Sequence, residues 1–316
     1  MKETLEKPTQ RLRVAVMGAG AVGGYLGGLL ARAGHDVTLI ARGEHLRAIQ
    51  STGLEIISQS NGSFTVQVKA TDSPREVGPL DLVLYTVKTY DDESAIPIVR
   101  PLVGSGTTVL SLQNGVDSWQ RLQASLPTDS VLPGAVYIEA SVESPGVVKQ
   151  QGKVYRLVFG EADGSITPRL QPIIEAFQDT GLPTEASTDI MKVLWSKWLF
   201  ITTLAGVTAA ARCSIADLLG IPVSRDLVIT LLKEIEAVGK KRGIGLDTDI
   251  VNHTLQYMDN EARSLKASLQ SDLEAGRQIE LEALTGTVVR LGRESNVPTP
   301  ANDVIYGLLK PYEEGS

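Results

Sequence analysis

The sequence predicts an α/β N-terminal domain built on a doubly wound sheet, followed by an all-α C-terminal domain. Three observations predict it. From residue 12 to about 185, apolar and β-branched runs alternate with helical or turn segments, and fully apolar strands separated by helices indicate a parallel sheet covered on both faces. Near residue 188 the strand-like runs stop and only long helical segments follow. The first strand also runs straight into Gly18-Ala-Gly-Ala-Val-Gly23, a Gly-x-Gly-x-x-Gly turn that opens a helix.

Each element has a local reason. Arg13–Met17 is a short buried strand, Tyr25–Gly34 a helix closed by a C-terminal glycine, and Asp36–Ala41 a second strand. Leu80–Thr86, Thr107–Ser111, Val131–Ile138 and Val154–Phe159 are further strands. Pro145-Gly146 and Asp163-Gly164 mark turns in a hairpin-like section whose strands are expected at the sheet edge. The helical half reads as Ile190–Ala211, Ser224–Arg242, Asp247–Asp272 and Arg277–Asn296. Pro298-Thr-Pro300 then starts a last helix, Asn302–Tyr312, with Asn302 as its expected cap. The domains are therefore drawn at 1–188 and 189–316, and residues 1–10 are expected to fray.

The glycine turn points to a dinucleotide. Gly18 permits the tight turn, Gly20 lets the backbone approach a pyrophosphate, and Gly23 lets the helix pack on the strand. The phosphates would meet the free N–H groups of the helix N-terminus. Ala19, Ala21 and Val22 complete the predicted cradle. At the tip of the second strand, binders of NAD usually carry an acid for the ribose 2′-hydroxyl; here stands Ala41-Arg42-Gly43. Arg42 suits a 2′-phosphate, so NADP(H) is the expected cofactor.

Composition restricts the alternatives. The chain has 316 residues, 42% hydrophobic and 21% charged, with a formal charge of −7; that balance suggests neither a nucleic-acid nor an anionic-membrane partner. One cysteine, Cys213, excludes an internal disulfide framework and a cysteine-cluster metal site, and His35, His45 and His253 are too dispersed for a histidine metal centre. The apolar run Val14–Ala31 holds six glycines and is better explained as strand plus helix than as a signal or membrane segment. No other run is expected to reach spanning length, and the expected location is the cytoplasm.

In a doubly wound sheet the ligand lies beyond the carboxyl ends of the strands. Lys88 follows one buried strand and Asn114-Gly115 the next. Singly, they read as a surface lysine and a turn-forming Asn-Gly. Together they suit a cofactor phosphate or substrate carboxylate (Lys88) and a ribose or nicotinamide (Asn114).

These residues carry a family resemblance. Val16-Met-Gly-Ala-Gly-Ala-Val-Gly23, Ala41-Arg42, Thr86-Val-Lys88, Gln113-Asn114-Gly115, Leu194-Trp-Ser-Lys197, Arg277-Gln-Ile-Glu280 and Val288–Pro300 occur in the order seen in ketopantoate reductases (2-dehydropantoate 2-reductases), which the chain resembles from about residue 13 to 312. The resemblance implies a Rossmann-type domain, a 6-phosphogluconate dehydrogenase C-terminal-like helical domain, NADPH as hydride donor and, as substrate, a 2-keto acid with a neighbouring hydroxyl, as in pantothenate biosynthesis. It implies that Lys197 is the catalytic lysine at the developing alkoxide and that Glu280 holds the cofactor ribose and orders the site. It further implies that Lys88 and Asn114 contact cofactor and substrate, and that Ser268 meets the substrate carboxylate. Without it, Lys197 reads as a helix-surface lysine between two tryptophans and Glu280 as a solvated acid on an amphipathic helix. The chemistry is consistent, since a carbonyl taking hydride needs a cation or proton donor at its oxygen, and an apolar setting lowers a lysine pKa toward a useful range.

One departure concerns the substrate. The family pattern has asparagines four and eight residues after the catalytic lysine, on one helix face; here Ile201 and Ala205 occupy those positions. A more apolar substrate pocket is expected, suited to another 2-keto acid, a related carbonyl or an imine. Glu139 reads as an exposed strand-end acid or an added carboxylate near the site; His45 and Cys213 read as structural. Genuine ketopantoate reductase, imine reductase and a non-catalytic NADP-binding sensor are the alternatives. The long C-terminal helices suit a homodimer interface or the interdomain cleft equally.

Overall fold

The computed structural model describes residues 10–78, 80–127, 129–263 and 265–315; residues 1–9, most of the segment expected to fray, lie outside them. The chain divides into two compact units. The first runs to Gln113 and resumes over Asp117–Ile190. The second comprises Asn114–Val116 and the chain from Met191 onward.

In the first unit the order is β1 (Arg13–Met17), α1 (Ala21–Arg32), β2 (Asp36–Ile40), α2 (Gly43–Thr52), β3 (Leu54–Ser58), β4 (Phe64–Val66), β5 (Lys69–Thr71), β6 (Leu82–Tyr85), α3 (Asp92–Val99), β7 (Thr108–Ser111), α4 (Ser118–Ser125), β8 (Val131–Ser144), β9 (Val147–Phe159), α5 (Leu170–Gln178) and β10 (Thr184–Ala186). The strands lie in the order β4-β3-β9-β8-β7-β6-β1-β2-β5, with β10 on β9. From β5 to β7, and on to the first residues of β8, every pairing is parallel. The order reverses between β1 and β6, which is where a doubly wound sheet opens its ligand crevice.

Alternation along these strands explains the two-faced burial. Val14, Val16, Leu82, Leu84 and Leu110 join Leu26 and Leu29 of α1 in one core layer. Their neighbours Ala15, Met17, Val83, Tyr85 and Val109 join Ala95 and Val99 of α3 and Leu122 of α4 in another. No residue of β6 or β7 faces water, which is why these strands read as continuous apolar runs.

The hairpin is larger than expected and lies inside the sheet. β8 has 14 residues and β9 has 13, joined at Pro145-Gly146 with Gly146 at φ +79°. β3 and β4 lie outside them and form that edge. The outer half of β8 is largely exposed, so it lacked the apolar run by which a strand is recognised.

The second unit contains α6 (Ile190–Ala211), α7 (Ile215–Leu219), α8 (Pro222–Lys241), α9 (Ile250–Asn260), α10 (Ser268–Glu274), α11 (Thr287–Ser295) and α12 (Pro300–Leu309). Three sequence expectations need correction. The predicted helix Asp247–Asp272 is α9 and α10 separated by a turn in which Ala262 is wholly buried; tertiary burial overrides a stretch with no glycine or proline to stop it. The predicted helix Arg277–Asn296 begins only with a π-helical turn at Glu282–Gly286. Asn302 is not a cap: it lies in the first turns of α12, which starts at Pro300 with Thr299 at its N-cap.

The buried carboxylate of Glu234 does the capping instead. It accepts the N–H groups of Ala301 (2.9 Å) and Asn302 (3.0 Å) and the Asn302 side-chain amide (2.7 Å). Contrary to the expectation that no other run reaches spanning length, the helix Ile190–Ala211 does so in length and composition, with mean hydropathy 1.3 over its best window and 67% of that window buried inside the protein. Its apolar character serves the core of this unit.

Candidate active site

At the end of β1 the chain enters the glycine turn. Gly18 takes φ +95°, and a Cβ there would lie 2.8 Å from the backbone nitrogen of Val87. A Cβ at Gly23 would come within 2.3 Å of both the Gly18 carbonyl oxygen and Thr86 Oγ1. Gly20 differs: a Cβ there meets nothing within 4 Å. Two glycines are therefore demanded by the protein itself, whereas the third keeps an open face above the turn. The turn is held by Thr86, whose hydroxyl donates to the Gly18 carbonyl (2.8 Å), and by the Ala19 N–H donating to Ile40 (3.0 Å).

Helix α1 begins at Ala21 and Val22 with no side-chain cap and no acid in its first turn, so its leading N–H groups are left for an external anion. An open glycine face over an uncapped helix N-terminus fits a pyrophosphate.

Arg42 stands at the N-cap of α2, its side chain 80% exposed, with Nη2 3.0 Å from Asp91 Oδ2. Asp91 ends the single 3₁₀ turn Thr89–Asp91 that follows the half-buried Lys88. At the end of β7, Gln113 donates from Nε2 to the Val87 carbonyl (3.1 Å) and to Asp92 Oδ1 (2.5 Å). Asp92 also receives the Tyr85 hydroxyl (3.1 Å) and Arg121 Nε (3.3 Å). Burial raises the Asp92 pKa against these donors. The network ties the loop after β6 to the loop after β7, and so fixes where Lys88 and the chain entering Asn114 begin.

In the second unit Lys197 projects from α6 and donates to Asn114 Oδ1 at 3.1 Å. Burial pulls the Lys197 pKa down to about 8, and the charge of Glu280 opposes that fall. Glu280 is only 6% exposed and lies in the non-helical segment before the π turn, so it is not an acid on a solvated helix face. Trp198, next to Lys197, is buried and donates from Nε1 to the Ala283 carbonyl (3.0 Å). That bond ties α6 to the segment following Glu280. Rare π turns recur at functional sites, and here one immediately follows a buried acid.

The remaining predicted positions differ in setting. Ile201 is half-buried, Ala205 is buried within its own unit, and Ser268 is exposed at the start of α10. Thr202, Thr203 and Thr285 have buried hydroxyls without a hydrogen-bond partner among the described residues. Glu139 is exposed in the middle of β8 rather than at a strand end. His45 accepts the Gly146 N–H at Nδ1 (3.0 Å), which fastens α2 to the hairpin turn, and burial lowers its pKa. Burial also pushes the Cys213 thiol up.

Asp91, Asp92, Gln113 and Thr86 were given no role by sequence. Gln113 and Thr86 sit inside the motifs that carry the resemblance, so position was the available signal. Asp91 and Asp92 had none.

Comparison with known proteins agrees with this architecture. The family described as "Ketopantoate reductase PanE/ApbA" matches residues 14–164, and "Ketopantoate reductase PanE/ApbA C terminal" matches residues 189–313. A 2-dehydropantoate 2-reductase of Mesorhizobium japonicum is 30% identical, the alignment covering 95% of this chain and 97% of that protein. The crystal structure of a PanE/ApbA family ketopantoate reductase from Ralstonia eutropha superposes with a TM-score of 0.88 at 33% identity, covering 95% of this chain and 98% of that one. That of 2-dehydropantoate 2-reductase from Geobacter metallireducens gives 0.89 at 30% identity, covering 95% and 99%. The architecture is a Rossmann-type sheet domain followed by a helical domain, and the matching family is one of oxidoreductases. The chain belongs to the ketopantoate reductase family.

Proposed function

We propose that this protein is an NADP-dependent reductase that reduces a 2-keto acid or closely related carbonyl, with a more apolar substrate pocket than ketopantoate itself requires. The observation that carries the reading is Lys197, half-buried on α6 and donating to Asn114 Oδ1 at 3.1 Å, its pKa drawn down to about 8 by desolvation against the charge of Glu280.

In this reading the glycine turn and the strand ends hold the dinucleotide. Gly18, Ala19, Gly20, Ala21, Val22 and Gly23 receive the pyrophosphate, Arg42 the 2′-phosphate, and Lys88 and Asn114 the groups nearer the nicotinamide. When bound, the reduced nicotinamide supplies hydride to the carbonyl carbon. The residues of the second unit manage the oxygen. The Lys197 ammonium places positive charge where the alkoxide develops and then delivers its proton to that oxygen. At a pKa of about 8, about nine-tenths of Lys197 is charged at pH 7, yet its proton leaves more readily than that of an exposed lysine. The charge of Glu280 favours the ammonium form. Asn114 helps fix the ammonium by accepting one of its N–H bonds at 3.1 Å. Ser268 is assigned to the substrate carboxylate.

Ile201 supplies no hydrogen bond at its family asparagine position, and the buried Ala205 supplies none at the next. A site that hydrogen-bonds a substrate hydroxyl discriminates by about 10⁴–10⁵ in favourable cases, so the loss of both amides favours a substrate with an apolar flank. Genuine 2-dehydropantoate 2-reductase activity is the second reading, favoured by relatives of that name at 30% identity over nearly the full length. NADPH oxidation with ketopantoate beside 2-keto acids bearing branched or aromatic flanks decides between the two. Higher kcat/KM on the apolar acids supports the first reading; higher kcat/KM on ketopantoate replaces it with the second. Loss of all turnover in Lys197→Ala with NADPH affinity retained supports the catalytic assignment in either case.

A further inference from the structure

No acid follows β2 at its tip, but one from elsewhere in the chain reaches the Arg42 guanidinium. Asp91, 49 residues from Arg42 in sequence, sets its Oδ2 3.0 Å from the guanidinium. The 3₁₀ turn fixes its position: the Asp91 N–H donates to the Lys88 carbonyl (2.9 Å), and the Asp91 carbonyl accepts the Ser94 hydroxyl (2.9 Å). Although Asp91 precedes α3, its side chain does not cap that helix. The carboxylate turns to Arg42 instead.

We propose that Asp91 is a specificity-determining residue that weakens the preference for NADPH over NADH that Arg42 would give by itself. The inference rests on the assignment of Arg42 to the 2′-phosphate made above. A 2′-phosphate brings close to two negative charges and needs the guanidinium, ideally with both arms of its fork. In this structure one arm is already committed to a carboxylate that repels the incoming phosphate. The 2′-hydroxyl of NADH carries no charge and can donate to Asp91, which then performs the task of the usual strand-tip acid. Arg42 serves one dinucleotide and Asp91 the other.

The pair is solvent-exposed on the arginine side, with side-chain accessibilities of 80% for Arg42 and 28% for Asp91. Exposed ion pairs contribute little to folding, so Asp91 can be changed without losing the domain. Removing one negative charge beside a near-dianion in a largely aqueous setting should tighten NADPH by about three- to tenfold, and less as salt is raised.

The test is calorimetric titration of the full chain with NADPH and with NADH, which needs no substrate and no turnover. The variants are Asp91→Asn, which removes the charge but keeps an acceptor, and Arg42→Ala. The expected result is a rise of about three- to tenfold in the ratio Kd(NADH)/Kd(NADPH) for Asp91→Asn, larger at low salt, and a fall in that ratio for Arg42→Ala. If Arg42→Ala lowers the ratio while Asp91→Asn leaves it within twofold, the role of Asp91 is overturned and the Arg42 assignment survives. If neither variant moves the ratio, both are overturned.

Discussion

Raising the pH should switch this enzyme off at the pKa of one residue, Lys197. Its ammonium is the proposed proton donor, and burial draws its pKa from 10.5 to about 8. The acid form is the active one, so the rate must fall as pH rises. The charged fraction drops from about 0.9 at pH 7 to about 0.1 at pH 9, whereas a lysine with an ordinary pKa stays almost fully charged at pH 9. The assay is kcat for NADPH oxidation at saturating substrate from pH 6 to 10. The expected profile is level below about pH 7.5, then declines toward tenfold per pH unit.

Three variants separate Lys197 from other titrating groups. Lys197→Arg, charged throughout, should have a low rate without the alkaline limb. Glu280→Gln removes the charge that props up the lysine pKa, so its limb should move to lower pH. Asn114→Asp adds a carboxylate at the atom that now accepts the Lys197 bond (3.1 Å), so its limb should move to higher pH. A wild-type rate that stays level through pH 9.5, or a limb that survives in Lys197→Arg, would refute the assignment.

Further outcomes follow from the same structure. Because the folded state binds the Lys197 proton more weakly than the unfolded chain, this residue costs stability below about pH 8, and the cost fades as pH rises toward 10.5. Lys197→Met should therefore raise the unfolding free energy from urea denaturation at pH 7 by about 1–2 kcal/mol, solvent screening the half-buried side chain in part. Gly20→Ala should keep the melting temperature, since its Cβ meets nothing within 4 Å, but should lose dinucleotide affinity by titration calorimetry. Gly23→Ala should do the reverse of sparing the fold, because its Cβ would press within 2.3 Å of Gly18 O and Thr86 Oγ1; aggregation or a much lower melting temperature is expected. Glu234→Leu should destabilise the protein by roughly 2–4 kcal/mol in urea unfolding, having stripped three charge-assisted bonds from the start of α12.

The parts of the fold that were legible in sequence are those with local causes. The segment from β1 to β2 could be read because backbone geometry demands glycine at Gly18 and Gly23, and because strands buried on both faces must be apolar throughout. Lys88 and Asn114 could be picked out as candidates because ligands in such a sheet lie beyond the carboxyl ends of its strands. The outer half of β8 was illegible for the opposite reason: exposed on much of its surface, it carries no apolar run, and its pairing partner is set by the turn at Pro145-Gly146. The break between α9 and α10 carries no breaker residue, so only the burial of Ala262 reveals it.

The same division runs through the candidate site, and it explains the one place where a local reading gave half of an answer. Arg42 was visible because it occupies a motif position; the acid facing it was not, because a window around the strand tip cannot see a carboxylate 49 residues away. The missing acid at that tip is evidence about the tip, not about the charge a 2′-phosphate would meet there. Glu280 shows the converse error. Its sequence surroundings fit a solvated helix, yet it is buried in a non-helical segment, and its charge acts on a lysine 83 positions earlier in the chain. For both residues the chemistry is set by a partner brought in by the fold. A motif therefore identifies the residue, while its charge environment, and with it cofactor choice and proton affinity, belongs to the tertiary structure.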